Sequence, residues 1–429
     1  MLFKKINRSK AAIAGLGALV MMLGTACEAL DFADPNSPVI EVASVQTLVT
    51  GAEAGMRVSL AIYLRDVSVI GREAYYFEPA DPRYTGELLR GPIDAGGFLL
   101  SRPWDARYNV VKNTLLLQEK TASLDAAGKA GVDGFAKTIR AYQLLMNLNL
   151  LNDNGLQLDF TGSYGDFSTK AQAMTEITSL LSGGATDLAA ADSSFPFSLS
   201  SGFDGFDTPV TFATFNWALA ARVAVYNGDY SGALTALGLS FIDGAGDFDL
   251  GVYHAYSTAA NDQLNEIFES ITAETIKYFG HPTFEADADA GDARFAAKVY
   301  ERTASVTFDE LTTDLGMSLV SSSSASLPII RNEELILLRA EANIGLGNYT
   351  TAQTDLDIIR AAAGLASVTI TSTNALDQLL HEKRYSLFGE GHRWIDMRRY
   401  GKLADLPLDR DGDVIIENFP IPEDEIREN

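Results

Sequence analysis

The chain has 429 residues, with 57 acidic and 33 basic side chains and a formal net charge of −24 at pH 7. Such an acidic surface repels nucleic acid and anionic membrane surfaces, so we expect neither as a partner. Hydrophobic residues make up 47% of the chain, which is enough to bury a substantial core. Because Cys27 is the single cysteine, an internal disulfide bond is excluded.

The N-terminus has the order of a secretory signal peptide. Basic residues lie within the first ten positions, an apolar run follows at 11–23, and small residues precede Cys27. A transmembrane anchor is the alternative, but the run is shorter than the roughly 20 residues that a bilayer crossing requires. The letters GTAC resemble a bacterial lipoprotein signal, so we predict that residues 1–26 are removed and that Cys27 is acylated. Removal would take away four positive charges and no negative ones, which changes the formal charge from −24 to −28.

The rest of the chain is predicted to form a tether at 27–43 and one mostly α-helical domain at 44–429. The tether carries two prolines, and a first helix is expected from Ser44. Helical periodicity continues near 104–115, 135–146 and 168–181. Two long insertions, at about 71–103 and 242–330, lack this periodicity and are rich in glycine, proline or serine. Loops of this length inside a compact protein are usually functional.

Two segments repeat one pattern. FNWALAARVAVYNGDYSGA starts at position 215 and ELILLRAEANIGLGNYTTA at position 334, and both contain Gly-(Asp/Asn)-Tyr-x-x-Ala. Small alanines allow two helices to approach closely, and the glycines, Gly228 and Gly347, can close the turn between them. The pattern favours a tetratricopeptide-like scaffold of helical hairpins. The alternative is two unrelated hairpins.

No motif for catalysis or for a cofactor is evident. The four histidines have no metal-ligand spacing, and neither a phosphate-binding glycine loop nor a nucleophile elbow is present. The acidic stretches 285–292 and 409–417 are interpreted as solvated turns rather than calcium loops, because their glycines are misplaced for an EF-hand. A carboxylate pair for glycoside hydrolysis cannot be located from one sequence. We therefore assign no catalytic residue, no metal and no cofactor.

Aromatic side chains in the two insertions are the candidate ligand contacts. A tyrosine combines a flat apolar face with a polar tip, which suits sugar rings with their C–H faces and hydroxyl groups. The alternative is that these rings form core packing beneath long loops. The predicted ligand-binding residues are Tyr75, Tyr76, Arg83, Tyr84, Tyr253, Tyr256, Tyr278 and His281.

The segment FGEGHRWIDMRRYG at 388–401 mixes glycines, charges and a tryptophan. Gly389 and Gly391 can adopt positive φ and end the preceding helix. Carboxylate–arginine pairs can then fix the angle of the next helix, so we interpret the segment as a structural joint rather than a catalytic site. The predicted joint residues are Glu382, Arg384, Glu390, Arg393, Trp394 and Asp396.

EKRYSLFGEGHRWIDMRRYGKL resembles the C-terminal signature of the RagB/SusD family. DPNSP after Cys27, GDARF at 291–295 and the closing FPIPEDEIREN agree with that resemblance. It implies an outer-membrane lipoprotein that faces the cell exterior, binds oligosaccharides or peptides, is not an enzyme, and passes its ligand to a SusC-like TonB-dependent transporter. The alternatives are a secreted glycan-degrading enzyme, a peptide-binding member and a repeat adaptor that binds another protein.

Overall fold

Helices carry most of the chain in the computed structural model, which describes residues 43–160, 166–273 and 275–426. The chain divides into two units, 1–44 and 45–429, and the helices and strands of the described residues all lie in the second unit. The predicted signal peptide, Cys27 and most of the tether lie outside the described residues. Their cleavage and acylation therefore stay predictions.

The predicted mostly helical scaffold is confirmed. Its helices are α1 (Val45–Arg57), α2 (Leu60–Ile70), α3 (Arg83–Arg90), α4 (Phe98–Glu119), α5 (Ala126–Leu151), α6 (Lys170–Ala190), α7 (Pro209–Tyr226), α8 (Tyr230–Leu239), α9 (Thr283–Ala286), α10 (Ala293–Lys298), α11 (Asn332–Gly345), α12 (Tyr349–Ala362), α13 (Ala375–Ser386) and α14 (Arg393–Arg399). The strands are β1 (Ala74–Tyr76), β2 (Gly251–His254), β3 (Tyr278–Gly280), β4 (Val299–Phe308), β5 (Leu311–Met317) and β6 (Leu327–Arg331).

The two repeated segments form helical hairpins, α7–α8 and α11–α12, as predicted. Gly228 and Gly347 close the two turns with φ of 73° and 77°, a conformation that costs glycine little. The two hairpins also pack against each other. A Cβ on Gly345 would lie 2.3 Å from the ring of Tyr230, so only glycine allows this close approach. The repeat pattern thus fixes both the turns and the contact between the copies.

The two insertions contain more regular structure than the sequence predicted. Strand β1 from the first insertion pairs with β3 from the second, in the sheet order β1-β3-β5-β4. Tyr75 lies opposite Phe279, and Tyr76 lies opposite Tyr278. A second, two-stranded sheet pairs β2 with β6. The prediction of irregular loops was wrong here because strand pairing over about 200 residues leaves no local signal in the sequence.

Two helices extend beyond their predicted limits. Helix α4 begins at Phe98 and includes Pro103, although a proline removes one helical hydrogen bond. Apolar side chains around Pro103 are fully buried, and this packing outweighs the local preference. Helix α6 runs on through Gly184, where a Cβ would lie 3.0 Å from Asn216, so the glycine permits close helix packing.

The segment after α13 turns sharply twice. Gly389 and Gly391 have φ of 74° and 87°, and Gly401 ends α14 with φ of 64°. These positive values explain the glycines at all three positions. Within the described ranges, none of the helices combines the length and apolar character that a membrane crossing requires.

Candidate functional site

The segment 388–401 is anchored by a buried ion-pair network. Lys383 lies 2.9 Å from Glu341 and 2.7 Å from Asp396, and Arg399 lies 2.5 Å and 2.6 Å from the same two carboxylates. Burial alone would raise the pKa of Glu341, but Arg399 and Lys383 hold it well below its ordinary value. The network connects α11 of the second hairpin with α13 and α14, so it fixes the joint to the scaffold.

Further contacts hold the other joint residues in place. The Trp394 indole is fully buried and donates a hydrogen bond to the carbonyl of Ile416 at 2.8 Å. Glu390 lies 2.9 Å from Arg331; burial alone would raise the pKa of Glu390, but Arg331 lowers it to about 2. The remaining joint contacts pair Glu382 with Arg360 and Arg294, Arg384 with Asp287, and the side chain of Arg393 with the carbonyl of Gly71. No substrate is needed to explain these contacts.

Five of the eight predicted ligand contacts lie in the core. Their rings pack within and beside the sheet, where cross-strand aromatic pairs stabilise the structure. Tyr76, for example, has its ring centroid 4.6 Å from that of Tyr84, and His281 lies 4.9 Å from Tyr75. The prediction that these residues contact a ligand was wrong, because each is at most 7% exposed. The buried residues are Tyr75, Tyr76, Tyr84, Tyr278 and His281.

Arg83 lies at the surface, but its side chain contacts neighbouring residues of the first insertion. Its guanidinium group is 2.8 Å from Asp81 and lies over the ring of Phe98 at 4.4 Å. It lines neither of the clefts that contain Tyr253 and Tyr256. These two tyrosines are the predicted aromatic residues that remain half-buried and accessible.

The two acidic stretches are turns that remain partly exposed, and several of their carboxylates are also paired with basic side chains. In the first, Asp287 contacts Arg384 at 2.7 Å and Asp292 contacts Arg294 at 2.7 Å. In the second, Asp413 contacts Arg410 at 2.8 Å. Asp292 and Asp413 have no exposed side-chain surface, whereas the Asp287 side chain remains 56% exposed. The other pairs are Asp289 with Arg360 and Asp409 with His281.

One group among the described residues has metal-ligand geometry. Ligand atoms of Asp289, His381 and Glu382 lie within 4.8 Å of one another. However, the Arg360 guanidinium is 2.8 Å from Asp289 and 2.5 Å from Glu382, and Arg294 is 2.7 Å from Glu382. These cations already neutralise the carboxylates, so we assign no metal to the group.

A cleft of about 310 Å³ contains Tyr256 and is called the Tyr256 cleft. The end of α1, the turn at 200–203 and the segment after β2 form its walls. Arg57 donates a hydrogen bond to the carbonyl of Ala255 at 2.6 Å, pairs with Asp262 at 2.9 Å and lies 5.7 Å from the Tyr256 ring centroid. Burial raises the pKa of the Tyr256 hydroxyl, and Arg57 opposes that rise.

Glu53 forms another polar part of the Tyr256 cleft. Its carboxylate accepts hydrogen bonds from the backbone N–H of Ser200 at 3.1 and 3.3 Å. Burial raises the pKa of Glu53, and the Ser200 N–H partly offsets the effect. Thr50, Ser201 and Ser257 add hydroxyl groups to the lining. The cleft thus combines one aromatic ring with several hydrogen-bonding groups.

A second cleft of about 440 Å³ is called the Tyr253 cleft. Its lining combines apolar residues such as Leu319 and Pro328 with charged residues such as Arg331 and Glu333. The Tyr253 hydroxyl donates a hydrogen bond to the carbonyl of Asp249. Burial, together with the nearby Asp249 charge, raises the pKa of Tyr253 to about 12. The hydroxyl is therefore protonated at neutral pH, and its oxygen can still accept a hydrogen bond.

Sequence reasoning missed most of the polar residues in both clefts. Arg57 reaches Ala255 across 198 positions, and Lys298 reaches Glu390 across 92 positions. Neither contact has a local signature, because both depend on how the insertions pack on the helices. The tyrosines alone carried a usable signal, namely aromatic residues in a segment without helical periodicity.

Comparison with known proteins gives a consistent result. Residues 288–429 match the model of the SusD family. No curated protein sequence matches the chain. Among solved structures, a SusD superfamily protein from Bacteroides vulgatus shares 17% identity and a TM-score of 0.67, over 89% of this chain and 96% of that one.

Two further structures have similar folds. A laminarin-binding SusD-like protein shares 18% identity and a TM-score of 0.62, over 88% of this chain and 96% of its own. Surface glycan-binding protein A from Bacteroides thetaiotaomicron shares 15% identity and a TM-score of 0.68, over 89% and 96% respectively. Residues 288–429 thus match the SusD family, and the described residues have a fold similar to that of SusD-like proteins.

Proposed function

We propose that the protein captures an uncharged nutrient oligosaccharide at the cell surface and passes it to a SusC-like TonB-dependent transporter. The protein binds the oligosaccharide and does not cleave it. The observation that carries it is a pair of accessible tyrosines, Tyr253 and Tyr256, in polar clefts on a SusD-like fold. Solved proteins with the same fold include a laminarin-binding protein and surface glycan-binding proteins.

The chemistry of the Tyr256 cleft suits sugar. An aromatic face accepts the C–H face of a pyranose ring, and hydroxyl and carboxylate groups around it can bind the sugar hydroxyls. Both clefts fall within the roughly 300–1,000 Å³ that small-ligand sites occupy. The strongly acidic chain disfavours anionic ligands, which directs the proposal toward neutral glycans.

The carboxylates of the Tyr256 cleft are already engaged, which favours binding over hydrolysis. Glu53 accepts the Ser200 N–H, and Asp262 is paired with Arg57. A general acid or a nucleophile for glycoside hydrolysis needs a carboxyl group directed at the glycosidic bond. We therefore propose that these two residues shape the cleft and do not catalyse a reaction.

The location is proposed from the N-terminal sequence and the family. Cys27 would carry the lipid anchor, and residues 27–43 would form the tether between the outer membrane and the domain. A peptide ligand is the second possibility that the family resemblance leaves open, and titration with peptides distinguishes it from a glycan.

Calorimetric titration of the domain 44–429 with a panel of neutral oligosaccharides, uronic-acid oligosaccharides and short peptides tests the proposal. We expect heat of binding for at least one neutral glycan, with a Kd in the micromolar to millimolar range, and unchanged ligand in chromatography after incubation. Binding of peptides alone would redirect the assignment to peptide uptake. Release of shorter sugars would show an enzyme, and absence of binding across the panel would refute the proposal.

A further inference from the structure

The two clefts lie on either side of one short chain segment. Tyr253 is in strand β2, Tyr256 follows the strand, and a register shift interrupts the β2–β6 pairing between Val252 and Tyr253. Tyr253 lines both clefts. Three residues of extended chain span at most about 10 Å, so the two tyrosine backbones lie within that distance of each other.

Two residues, His254 and Ala255, lie between the two tyrosines along the chain. The His254 side chain points inward, is 3% exposed and has its Nε2 3.3 Å from the hydroxyl of Tyr142. Ala255 is half-buried, and its side chain is a single methyl group. The half-buried residue between Tyr253 and Tyr256 is thus Ala255, whose carbonyl is bound by Arg57, while Gly202 packs against the backbone of Tyr253.

The cations of both clefts already have carboxylate partners. Arg57 pairs with Asp262 in the Tyr256 cleft. In the Tyr253 cleft Arg331 pairs with Glu333 and Glu390, and Lys298 lies 3.3 Å from Glu390. An anionic ligand would have to compete with these pairs, whereas a hydroxyl can use the hydrogen-bonding capacity that remains on Lys298.

From these observations we infer that one uncharged oligosaccharide chain occupies both clefts at once, stacks on Tyr256 and on Tyr253, and crosses Ala255 between them. The inference rests on the proposed function and adds a requirement for ligand length. A monosaccharide fills one cleft only. A chain that reaches both clefts makes two stacking contacts while losing its translational freedom once, so affinity rises with chain length.

A length series tests this inference. The probes are ladders of laminarin, malto- and xylo-oligosaccharides, titrated from the monosaccharide upward. For the ladder that binds, we expect affinity to increase with length and then reach a plateau. Replacing either tyrosine in Tyr253→Ala or Tyr256→Ala should lower the affinity for plateau-length ligands roughly two- to tenfold, the range for one aromatic contact.

Ala255→Leu provides the sharpest variant, because it enlarges the divide without changing either tyrosine. It should weaken the long ligands and leave the shortest binding ligand unchanged. Tyr253→Phe is the matched control: it keeps the ring, removes only the hydrogen bond to the Asp249 carbonyl, and should retain the length dependence. Thermal unfolding of each variant checks that the domain is folded.

The outcomes separate the inference from the proposed function. If long ligands bind equally well to wild type, Tyr253→Ala and Ala255→Leu, while Tyr256→Ala abolishes binding, one cleft holds the whole ligand and the inference fails. The proposed function would survive that result. If none of the three ladders binds to the folded wild type, both fail.

Discussion

Replacement of Glu73 by glutamine is predicted to stabilise the protein at neutral and alkaline pH but not at acidic pH. Glu73 follows α2, its side chain is 1% exposed, and no ion-pair partner lies within 4.0 Å of it among the described residues. Burial raises the pKa of Glu73 from 4.5 to about 7, and the more distant charges of Arg393 and Arg384 only partly oppose this. Between pH 4.5 and about 7, the Glu73 carboxyl group is therefore protonated in the native state and deprotonated in the unfolded chain.

The direction and the size of this effect on the free energy of unfolding follow from proton linkage. Below pH 4.5 the carboxyl group is protonated in both states and has no effect on the free energy of unfolding. As the pH rises from 4.5 to about 7, the carboxyl group loses its proton in the unfolded state but keeps it in the native state, so the free energy of unfolding decreases. Above pH 7 the group is deprotonated in both states, and the decrease stays constant. The interval between the two pKa values corresponds to about 3 kcal/mol, at about 1.4 kcal/mol for each pH unit.

Urea unfolding of wild type and Glu73→Gln at pH 5 and pH 8 measures this effect. Glutamine resembles the protonated acid, so the variant should be more stable by about 3 kcal/mol at pH 8 and by less than about 1 kcal/mol at pH 5. Glu119→Gln removes an exposed carboxylate and serves as the control, with little difference at either pH. An equal effect of Glu73→Gln at both pH values, or destabilisation at pH 8, would refute the reasoning.

Three further predictions concern the joint, the core and the anchor. Trp394→Ala should destabilise the domain by about 3–5 kcal/mol, because it empties a fully buried site; an unchanged thermal midpoint would contradict this. Tyr76→Ala should cost a similar amount in urea unfolding, because its ring packs on Tyr84 and Tyr278, whereas a ligand-contact role predicts lost binding at normal stability. Cys27→Ser should move the protein from the membrane fraction to the soluble fraction, and its retention on membranes after a high-salt wash would argue against the lipid anchor.

The hairpins and the bends at Gly389 and Gly391 could be predicted because their signals are local. Gly228 and Gly347 occupy equivalent turns, and Gly389 and Gly391 end a helix in a segment whose spacing already indicated two bends. In each case the residues that determine the structure lie within a few positions of each other, where backbone preference acts directly.

The sheet and the clefts could not be predicted in the same way. Tyr75 pairs with Phe279 across 204 positions, and the sequence of either strand is equally compatible with a loop. Burial of Tyr75 therefore depended on a pairing that the sequence does not encode locally. Tyr253 and Tyr256 lie, like the buried tyrosines, in insertions that the sequence marks only by missing helical periodicity, so only the structure separates the two groups.

A crystal structure of the domain with a bound neutral oligosaccharide tests the central claim most directly. We expect sugar rings against the faces of Tyr256 and Tyr253, with the chain passing over Ala255 and with hydroxyl groups near Lys298. Density for the ligand elsewhere on the surface, with both clefts occupied by solvent alone, would contradict it.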